Sequence, residues 1–157
     1  MNLDVLSRKL GKALKKKGEF LVTAESCTGG WVAQAVTSVA GSSEWFERGY
    51  VTYSNAAKRE ALGVGRRVLD RHGAVSEQTA REMARGALKR SKGTIAVSVT
   101  GVAGPGGGSP GKPVGMVCFA WARGRKIRSE TRRFRGGRRR VRQQSVVHAL
   151  RGVLKCL

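Results

Sequence analysis

Strand-like and helix-like segments alternate along this sequence, and the alternation restricts its fold more than any other feature. Short β-rich runs, such as residues 19–24 and 94–101, are separated by segments in which apolar residues recur at helical spacing. No repeat or linker divides the chain, and its 157 residues suit one core. The pattern therefore predicts a single α/β layered domain over residues 1–157.

Glycines and capping residues give approximate boundaries for these elements. Helices are predicted to end at Gly18 and Gly63, the third helix is capped by Ser54 or Asn55, and Ser76 caps the fourth. The predicted helices lie within residues 1–18 and cover residues 31–40, 55–62, 77–91 and 138–157, and the predicted strands cover residues 19–24, 45–54, 94–101, 116–122 and 126–134. The last two strands are expected to form a hairpin.

Composition excludes several classes of protein. The hydrophobic fraction of 40% is enough for a packed interior, but no apolar run is long enough to cross a bilayer. The N-terminus has cations without the continuous apolar core of a secretory signal. Three cysteines, Cys27, Cys118 and Cys156, match no zinc-binding spacing, and the two histidines do not complete one. We expect a cytoplasmic protein with reduced thiols and with neither metal nor cofactor.

The formal net charge of +21 is extreme. Such charge attracts phosphates and can give non-specific binding to polyanions such as nucleic acids. The arginine-rich stretch at residues 131–144 could grip a phosphate group or lie along a nucleic acid. The alternative is a solvated basic surface, because net charge constrains association more than it constrains fold or chemistry.

A hydroxyl and a thiol stand side by side in the turn between the first strand and the second helix. Ser26 and Cys27 are both candidate nucleophiles, and Gly29 and Gly30 let a substrate approach the backbone closely. Unpaired N–H groups at a helix N-terminus can stabilise an oxyanion there. Adjacent side chains point in different directions, which gives a weak preference for Cys27 as the packed neighbour. The alternative is that Ser26 or Thr28 only caps the helix.

A serine nucleophile needs a base, and neither His72 nor His148 has a promising setting in the sequence. A lysine can take this role if burial or nearby cations lower its pKa toward neutrality. Lys58 lies one turn into the third helix, and the phenol of Tyr53 could reach the same cleft. The alternative, for a lone lysine in a basic protein, is an exposed helical side chain.

A strand followed by a loop rich in glycine and proline is the third candidate region. Residues 98–115 match neither a Walker motif nor a dinucleotide-binding fingerprint, since no Gly-Lys-Ser/Thr and no helix follow the glycines. The N–H groups of such a loop can still bind an anion, and Thr100 places a hydroxyl at its mouth. The alternative is a plain flexible connection.

Three stretches in this order, "TAESCTGGW", "YVTYSNAAKREALG" and "VSVTGVAGPGGGSPGKPVG", give the chain a family resemblance. It resembles the C-terminal domain of the competence/damage-inducible protein A family, over nearly the whole chain. The resemblance implies a three-layer α/β/α sandwich with a mixed sheet. It also implies hydrolysis of nicotinamide mononucleotide to nicotinate mononucleotide and ammonia, in pyridine nucleotide recycling, by a homo-oligomer.

The same resemblance implies roles for individual residues. Ser26 would be the nucleophile, Lys58 and Tyr53 its partners, and Thr100 would lie near the reacting amide. We expect the N–H groups of residues 28–30 to hold the oxyanion, and the glycine loop with a C-terminal arginine to hold the substrate phosphate. The full set of expected oxyanion- and substrate-binding residues is Thr28, Gly29, Gly30, Thr100, Gly101, Gly104, Gly106, Gly107, Arg138 and Arg142.

Three other functions stay open. The charge fits a nucleic-acid-binding module, although the aromatic residues, 6% of the chain, are not interleaved with the basic runs. The fold could also serve as a catalytically silent nucleotide-binding domain, or as an amidase for another amide. Amidase activity that persists at salt concentrations abolishing polyanion binding would separate the enzyme from the nucleic-acid-binding module.

Overall fold

A five-stranded sheet forms the centre of the molecule in the computed structural model, which describes residues 2–157. The strands are β1 (Leu21–Glu25), β2 (Phe46–Val51), β3 (Ile95–Gly101), β4 (Met116–Arg123) and β5 (Lys126–Arg133). Their order is β2-β1-β3-β4-β5, with β1 parallel to both β2 and β3. Strand β4 is antiparallel to β3, and β5 pairs antiparallel with β4. The expected hairpin and the mixed sheet are therefore confirmed.

Six α-helices cover the two faces of this sheet within the described residues. They are α1 (Leu3–Lys17), α2 (Trp31–Thr37), α3 (Asn55–Leu62), α4 (Arg66–His72), α5 (Glu77–Lys89) and α6 (Arg138–Lys155). Apolar residues of α1, α2 and α6 share one core cluster, and those of α3, α4 and α5 share a second one. The three-layer α/β/α sandwich is confirmed. No helix among residues 2–157 is long and apolar enough to span a membrane.

The alternation of side chains along the central strands builds these two cores. In β1, Leu21 packs toward the first cluster, whereas Val22 and Ala24 pack toward the second. In β3, Ile95 and Val97 likewise belong to the first cluster. Successive side chains of a strand point to opposite faces, so a strand covered on both sides reads as one continuous apolar run.

Two segments differ from the sequence-based expectation. Helix α2 ends at Thr37 rather than near Gly41, because the hydroxyls of Thr37 and Ser38 donate to carbonyls of the preceding turn at 2.8 and 2.7 Å. The segment expected to be a loop after Gly63 contains α4, a short helix with one buried apolar residue, Leu69. A single apolar anchor leaves almost no periodic signal in the sequence.

Helices α3 and α5 approach each other closely at Gly86. A Cβ atom added there would overlap the carbonyl oxygen of Leu62, the last residue of α3. Only glycine permits this separation, so Gly86 determines how near α3, and with it Lys58, lies to the rest of the domain.

Parallel strands direct three loops to the same edge of the sheet. Strands β1, β2 and β3 end at Glu25, Val51 and Gly101, and the segments that follow contain all three candidate regions of the sequence. Ligand sites in open α/β sheets occur at this carboxyl edge.

Candidate active site

The turn after β1 places Ser26 at the carboxyl edge of the sheet. Its N–H donates to the carbonyl of Val99 at 2.9 Å, which fixes the turn to the neighbouring strand β3. Gly29 and Gly30 have φ values of +61° and +100°. These left-handed conformations favour glycine and let the chain reverse before α2 begins at Trp31. Ser26 is 8% exposed and so lies just below the surface.

Lys58 meets Ser26 from helix α3. Its Nζ lies 3.0 Å from the Ser26 Oγ and 2.8 Å from the carbonyl oxygen of Thr52. A second carbonyl, that of Tyr53, lies 3.5 Å away. Ser54 orders this helix by accepting the N–H of Ala57 at 3.0 Å. The alternative of an exposed helical lysine is wrong, since Lys58 is 1% exposed.

The surroundings of Lys58 favour an uncharged amine. No carboxylate among residues 2–157 forms an ion pair with it. Burial lowers the pKa of Lys58, because desolvation disfavours the charged form. A neutral amine has two hydrogens for the two carbonyls and one lone pair, which can accept the hydroxyl hydrogen of Ser26. The arrangement fits a proton acceptor for that hydroxyl.

The adjacent thiol has the opposite character. Cys27 is 6% exposed and packs in the first core cluster. Burial raises the pKa of Cys27 to about 12, so the thiol is not ionised near neutral pH. Of the two side chains, the geometry supports Ser26 as the nucleophile.

Glu25 is a buried residue of the site that the sequence analysis missed. Its carboxylate accepts the N–H groups of Val32 and Ala33 at 2.8 and 3.0 Å and the hydroxyl of Thr28 at 2.6 Å. It therefore caps α2 from the last position of β1, seven residues before Val32. Neither Ser26 nor Thr28 provides a side-chain cap for this helix, whose N-cap is Gly30. The only signal in the sequence was that Glu25 is acidic and precedes a helix. Glu25 is too far from the start of α2 to be recognised as its cap from the sequence.

The amides expected to hold an oxyanion divide into two groups. The Gly29 N–H donates to the Ser26 carbonyl at 3.0 Å and is already engaged. Within residues 2–157, the N–H groups of Thr28 and Gly30 find no protein acceptor. Of the expected amides, these two are therefore free to donate, and within the same residues the N–H of Cys27 has no protein acceptor either.

Tyr53 lies at the rim of the site rather than beside the serine–lysine pair. Its ring is 63% exposed, and its hydroxyl accepts a hydrogen bond from Arg138 at 3.2 Å. The same guanidinium donates to the carbonyl of Gly104 at 2.9 Å. Arg138 thus joins the glycine-rich loop to the segment that precedes α3, and its side chain is exposed.

Arg142 is held against the back of the nucleophile turn. It donates to the carbonyls of Cys27 and Thr28 at 3.1 and 3.2 Å, and it lies 5.6 Å from the ring of Trp31. These contacts anchor the turn to α6. A positioning contribution fits this geometry better than direct binding of a substrate phosphate.

Thr100 and the expected loop glycines have different structural surroundings. The Thr100 hydroxyl donates to the carbonyl of Ala74 at 2.9 Å, so it ties β3 to the segment before α5. Gly101 ends β3 and has no room for a side chain beside Val117. Gly104 and Gly107 have positive φ values, and a Cβ at Gly106 would meet nothing.

Neither His148 nor a cluster of metal-ligating side chains provides a second candidate active site among residues 2–157. His148 lies against Phe119 and bonds Glu130 at 2.9 Å, and burial lowers its pKa. Among residues 2–157, no three His, Cys, Asp or Glu side chains are grouped as metal ligands.

The fold and the site together define a class of protein: an α/β/α sandwich with a buried serine–lysine pair at the carboxyl edge of its sheet. A family model described as the CinA C-terminal domain matches residues 3–157. The chain belongs to this family.

Relatives and solved structures agree with this assignment. The nicotinamide-nucleotide amidohydrolase PncC of Escherichia coli strain K12 is 56% identical over 149 residues, which cover 92% of this chain and 88% of the relative. The protein of the same name from Pseudomonas putida is 50% identical over 98% of this chain and 96% of its own. The crystal structure of the competence/damage inducible protein CihA from Agrobacterium tumefaciens is 46% identical with a TM-score of 0.95, covering 98% of this chain and 94% of its own. The crystal structure of a CinA superfamily protein from Escherichia coli is 35% identical in sequence and has a TM-score of 0.96. The match covers 99% of this chain and 91% of the other.

Proposed function

We propose that this protein hydrolyses nicotinamide mononucleotide to nicotinate mononucleotide and ammonia. The observation that carries the proposal is the 3.0 Å contact between the Ser26 hydroxyl and the amine of Lys58. This amine is buried and has no carboxylate partner among residues 2–157. The relatives named nicotinamide-nucleotide amidohydrolase, at 50 to 56% identity, support the substrate. We place the reaction in the cytoplasm, where pyridine nucleotides are recycled and where the three free cysteines stay reduced.

The first half of the reaction is acylation of Ser26. The neutral amine of Lys58 takes the hydroxyl proton while the oxygen attacks the carboxamide carbon on the pyridinium ring. The N–H groups of Thr28 and Gly30 donate to the oxygen that becomes negative. Burial of the amine is useful here, because a lysine of ordinary pKa would already hold a proton at neutral pH.

The second half releases both products. The proton on Lys58 passes to the departing nitrogen as the C–N bond breaks, so ammonia leaves and an ester remains on Ser26. Lys58, neutral again, takes a proton from water, whose oxygen attacks the ester and forms the carboxyl group of nicotinate mononucleotide, which loses the second proton of the water to solvent. Return of the proton on Lys58 to the Ser26 oxygen restores the enzyme.

Arg138 is the best-placed side chain for the substrate phosphate. Its guanidinium lies between Gly104 and Tyr53, and its two hydrogen bonds to them leave it with free donors. Arg142, which we expected as an alternative, is engaged with the nucleophile turn. We therefore assign phosphate binding to Arg138 and positioning of Ser26 to Arg142.

The decisive test is ammonia release from nicotinamide mononucleotide, with nicotinamide and nicotinamide riboside as comparison substrates. Both lack the phosphate and should be poor substrates. Ser26→Ala should lose at least about 10³-fold in kcat, as removal of a nucleophile does. Ser43→Ala, an exposed serine away from the turn, serves as the matched control. Wild-type turnover by Ser26→Ala would refute the mechanism.

The two arginines can be separated by kinetics. Arg138→Gln should raise KM for the mononucleotide and leave the slow hydrolysis of the riboside unchanged. Arg142→Gln should lower kcat for both, because it disturbs the turn rather than the phosphate. If instead Arg142→Gln raised KM and Arg138→Gln lowered kcat for both substrates, Arg142 would bind the phosphate and Arg138 would position the turn.

A further inference from the structure

Seven arginines surround the first turns of α6, at the carboxyl edge of the sheet. We call them the arginine surface: Arg132, Arg133, Arg135, Arg138, Arg139, Arg140 and Arg142. All but Arg142 are exposed. Within the described part of the chain only Arg132 has a carboxylate partner, Glu130 at 3.5 Å. The sequence contains no acidic residue after Glu130.

The usual reason for placing cations on a helix does not apply here. The N-terminus of a helix carries partial positive charge, so arginines there add to that charge instead of offsetting it. Helix α6 has no acidic residue in its first turn and no side-chain cap at Gly137. Its positive charge is therefore not neutralised within residues 2–157.

The opposite edge of the sheet shows the contrast. Some of its cations lie at a helix C-terminus, as do Lys15 and Lys17 at the end of α1, where they offset the negative end of the helix. Several also have acidic partners: Lys15 lies 2.6 Å from Glu44, and Arg123 lies 2.7 Å from Glu19. Part of the positive charge at that edge is therefore offset within the protein, in contrast to the arginine surface.

Two aromatic rings lie within the arginine surface. The half-buried Trp31 has the guanidiniums of Arg139 and Arg142 at 5.5 and 5.6 Å from its ring centre. The exposed ring of Tyr53 is joined to Arg138 by its hydroxyl. These two rings are distant from the arginines in the sequence, so Trp31 and Tyr53 meet the arginines only in the fold.

We propose that the arginine surface, with Tyr53 and Trp31, binds single-stranded nucleic acid. Guanidiniums suit the phosphates of the backbone, and exposed rings stack unpaired bases. A membrane surface fits less well, because the apolar face of α6, including Val146 and Leu150, is buried in the first core. The paired bases of a duplex would leave the aromatic rings unused.

The test is a direct binding experiment that contains no nicotinamide nucleotide, so its result is independent of the proposed amidase activity. The anisotropy of a fluorescein-labelled oligothymidylate of about 12 nucleotides is measured against protein concentration at several KCl concentrations. The test variant carries Arg135→Ser, Arg139→Ser and Arg140→Ser. The matched control loses the same charge at the opposite edge, through Lys17→Ser, Arg125→Ser and Lys126→Ser. Circular dichroism checks that both variants are folded.

We expect the test variant to weaken binding about tenfold or more and to reduce the salt slope by about two, whereas the control changes both far less. If the triple variant does not fold, Arg139→Ser against Arg125→Ser gives the same comparison. Equal loss in the two variants would overturn the proposal and assign binding to diffuse charge. Tighter binding to a duplex with the same number of phosphates, or to phosphatidylserine vesicles, would also overturn it.

Discussion

A buried amine without a counter-ion is costly, and Lys58 is such a residue. The Ser26 hydroxyl and the carbonyl of Thr52 are its hydrogen-bond partners, but no negative charge offsets a proton on it. The protein accepts this cost at the one position where an uncharged lysine is chemically useful.

The lowered pKa of Lys58 predicts how activity depends on pH. We expect kcat/KM for nicotinamide mononucleotide to rise with pH through this lowered value and then level off, because only the neutral amine accepts the Ser26 proton. Lys58→Arg should not rescue activity, since a guanidinium stays charged. Activity in Lys58→Arg near that of the wild type would show that Lys58 supplies charge and not basicity.

The same pKa predicts a change in stability with pH. The folded-state pKa of Lys58 lies below its unfolded value, so between the two values the unfolded chain binds more protons. The free energy of unfolding should therefore rise as pH increases toward about 10.4, and fall as pH decreases through that window. Urea denaturation of wild type and Lys58→Met isolates the effect, because the difference between them should depend on pH. A difference that stays constant would contradict a depressed pKa.

Replacement of the neighbouring thiol should have little effect on catalysis. Cys27→Ala removes a packed, un-ionised side chain, so we expect a change of less than about threefold in kcat/KM. A small loss of stability, about 1 kcal/mol, should follow from the lost packing. Kinetics and thermal unfolding measure both, and a large loss of kcat in a folded Cys27→Ala protein would reopen the choice of nucleophile.

At the scale of elements, the position of Ser26 depends on how α2 is attached to β1. Glu25 supplies that attachment through its contacts with Thr28, Val32 and Ala33. Its carboxylate thus fixes the turn that contains Ser26 to the start of α2.

We expect Glu25→Gln to lower kcat with little change in KM, and to cost about 1–3 kcal/mol of stability, because an amide cannot accept all three hydrogen bonds. Glu82→Gln is a matched control. Glu82 accepts the N–H of Gly65, at the start of α4, at 2.8 Å, away from Ser26. Glu82→Gln keeps an amide oxygen for this single hydrogen bond, so the control should change stability little and leave kcat per folded molecule unchanged. If Glu25→Gln and Glu82→Gln lowered kcat equally, Glu25 would have only a structural role.

The sequence predicted elements better where their signals are local. The Ser76 cap and the Gly18 end of α1 are contained within a few residues, and both are confirmed. Helix α4 and the cap by Glu25 were missed, since one depends on a single buried residue and the other on a contact across the turn. The pairing of Ser26 with Lys58, 32 positions apart, came from a family resemblance and not from spacing.

At the scale of the whole molecule, charge affects association more than chemistry. We expect KM for nicotinamide mononucleotide to rise when KCl is raised from about 50 mM to about 500 mM, because salt screens attraction of the phosphate to exposed arginines. In the proposed mechanism the chemical step takes place at the buried Ser26–Lys58 pair, so kcat should stay nearly constant. Steady-state kinetics at both concentrations provide the measurement, and a kcat that falls with KM unchanged would contradict it.

The contact between Gly86 and Leu62 limits how this protein can be engineered. Exchanging a helical glycine for alanine is a common way to raise heat resistance, worth about 1 kcal/mol. Here the added methyl group would push the two helices apart and carry the amine of Lys58 away from its hydroxyl partner. A consensus or computational library aimed at thermostability should therefore hold position 86 fixed, although it lies on a different helix from every reacting group.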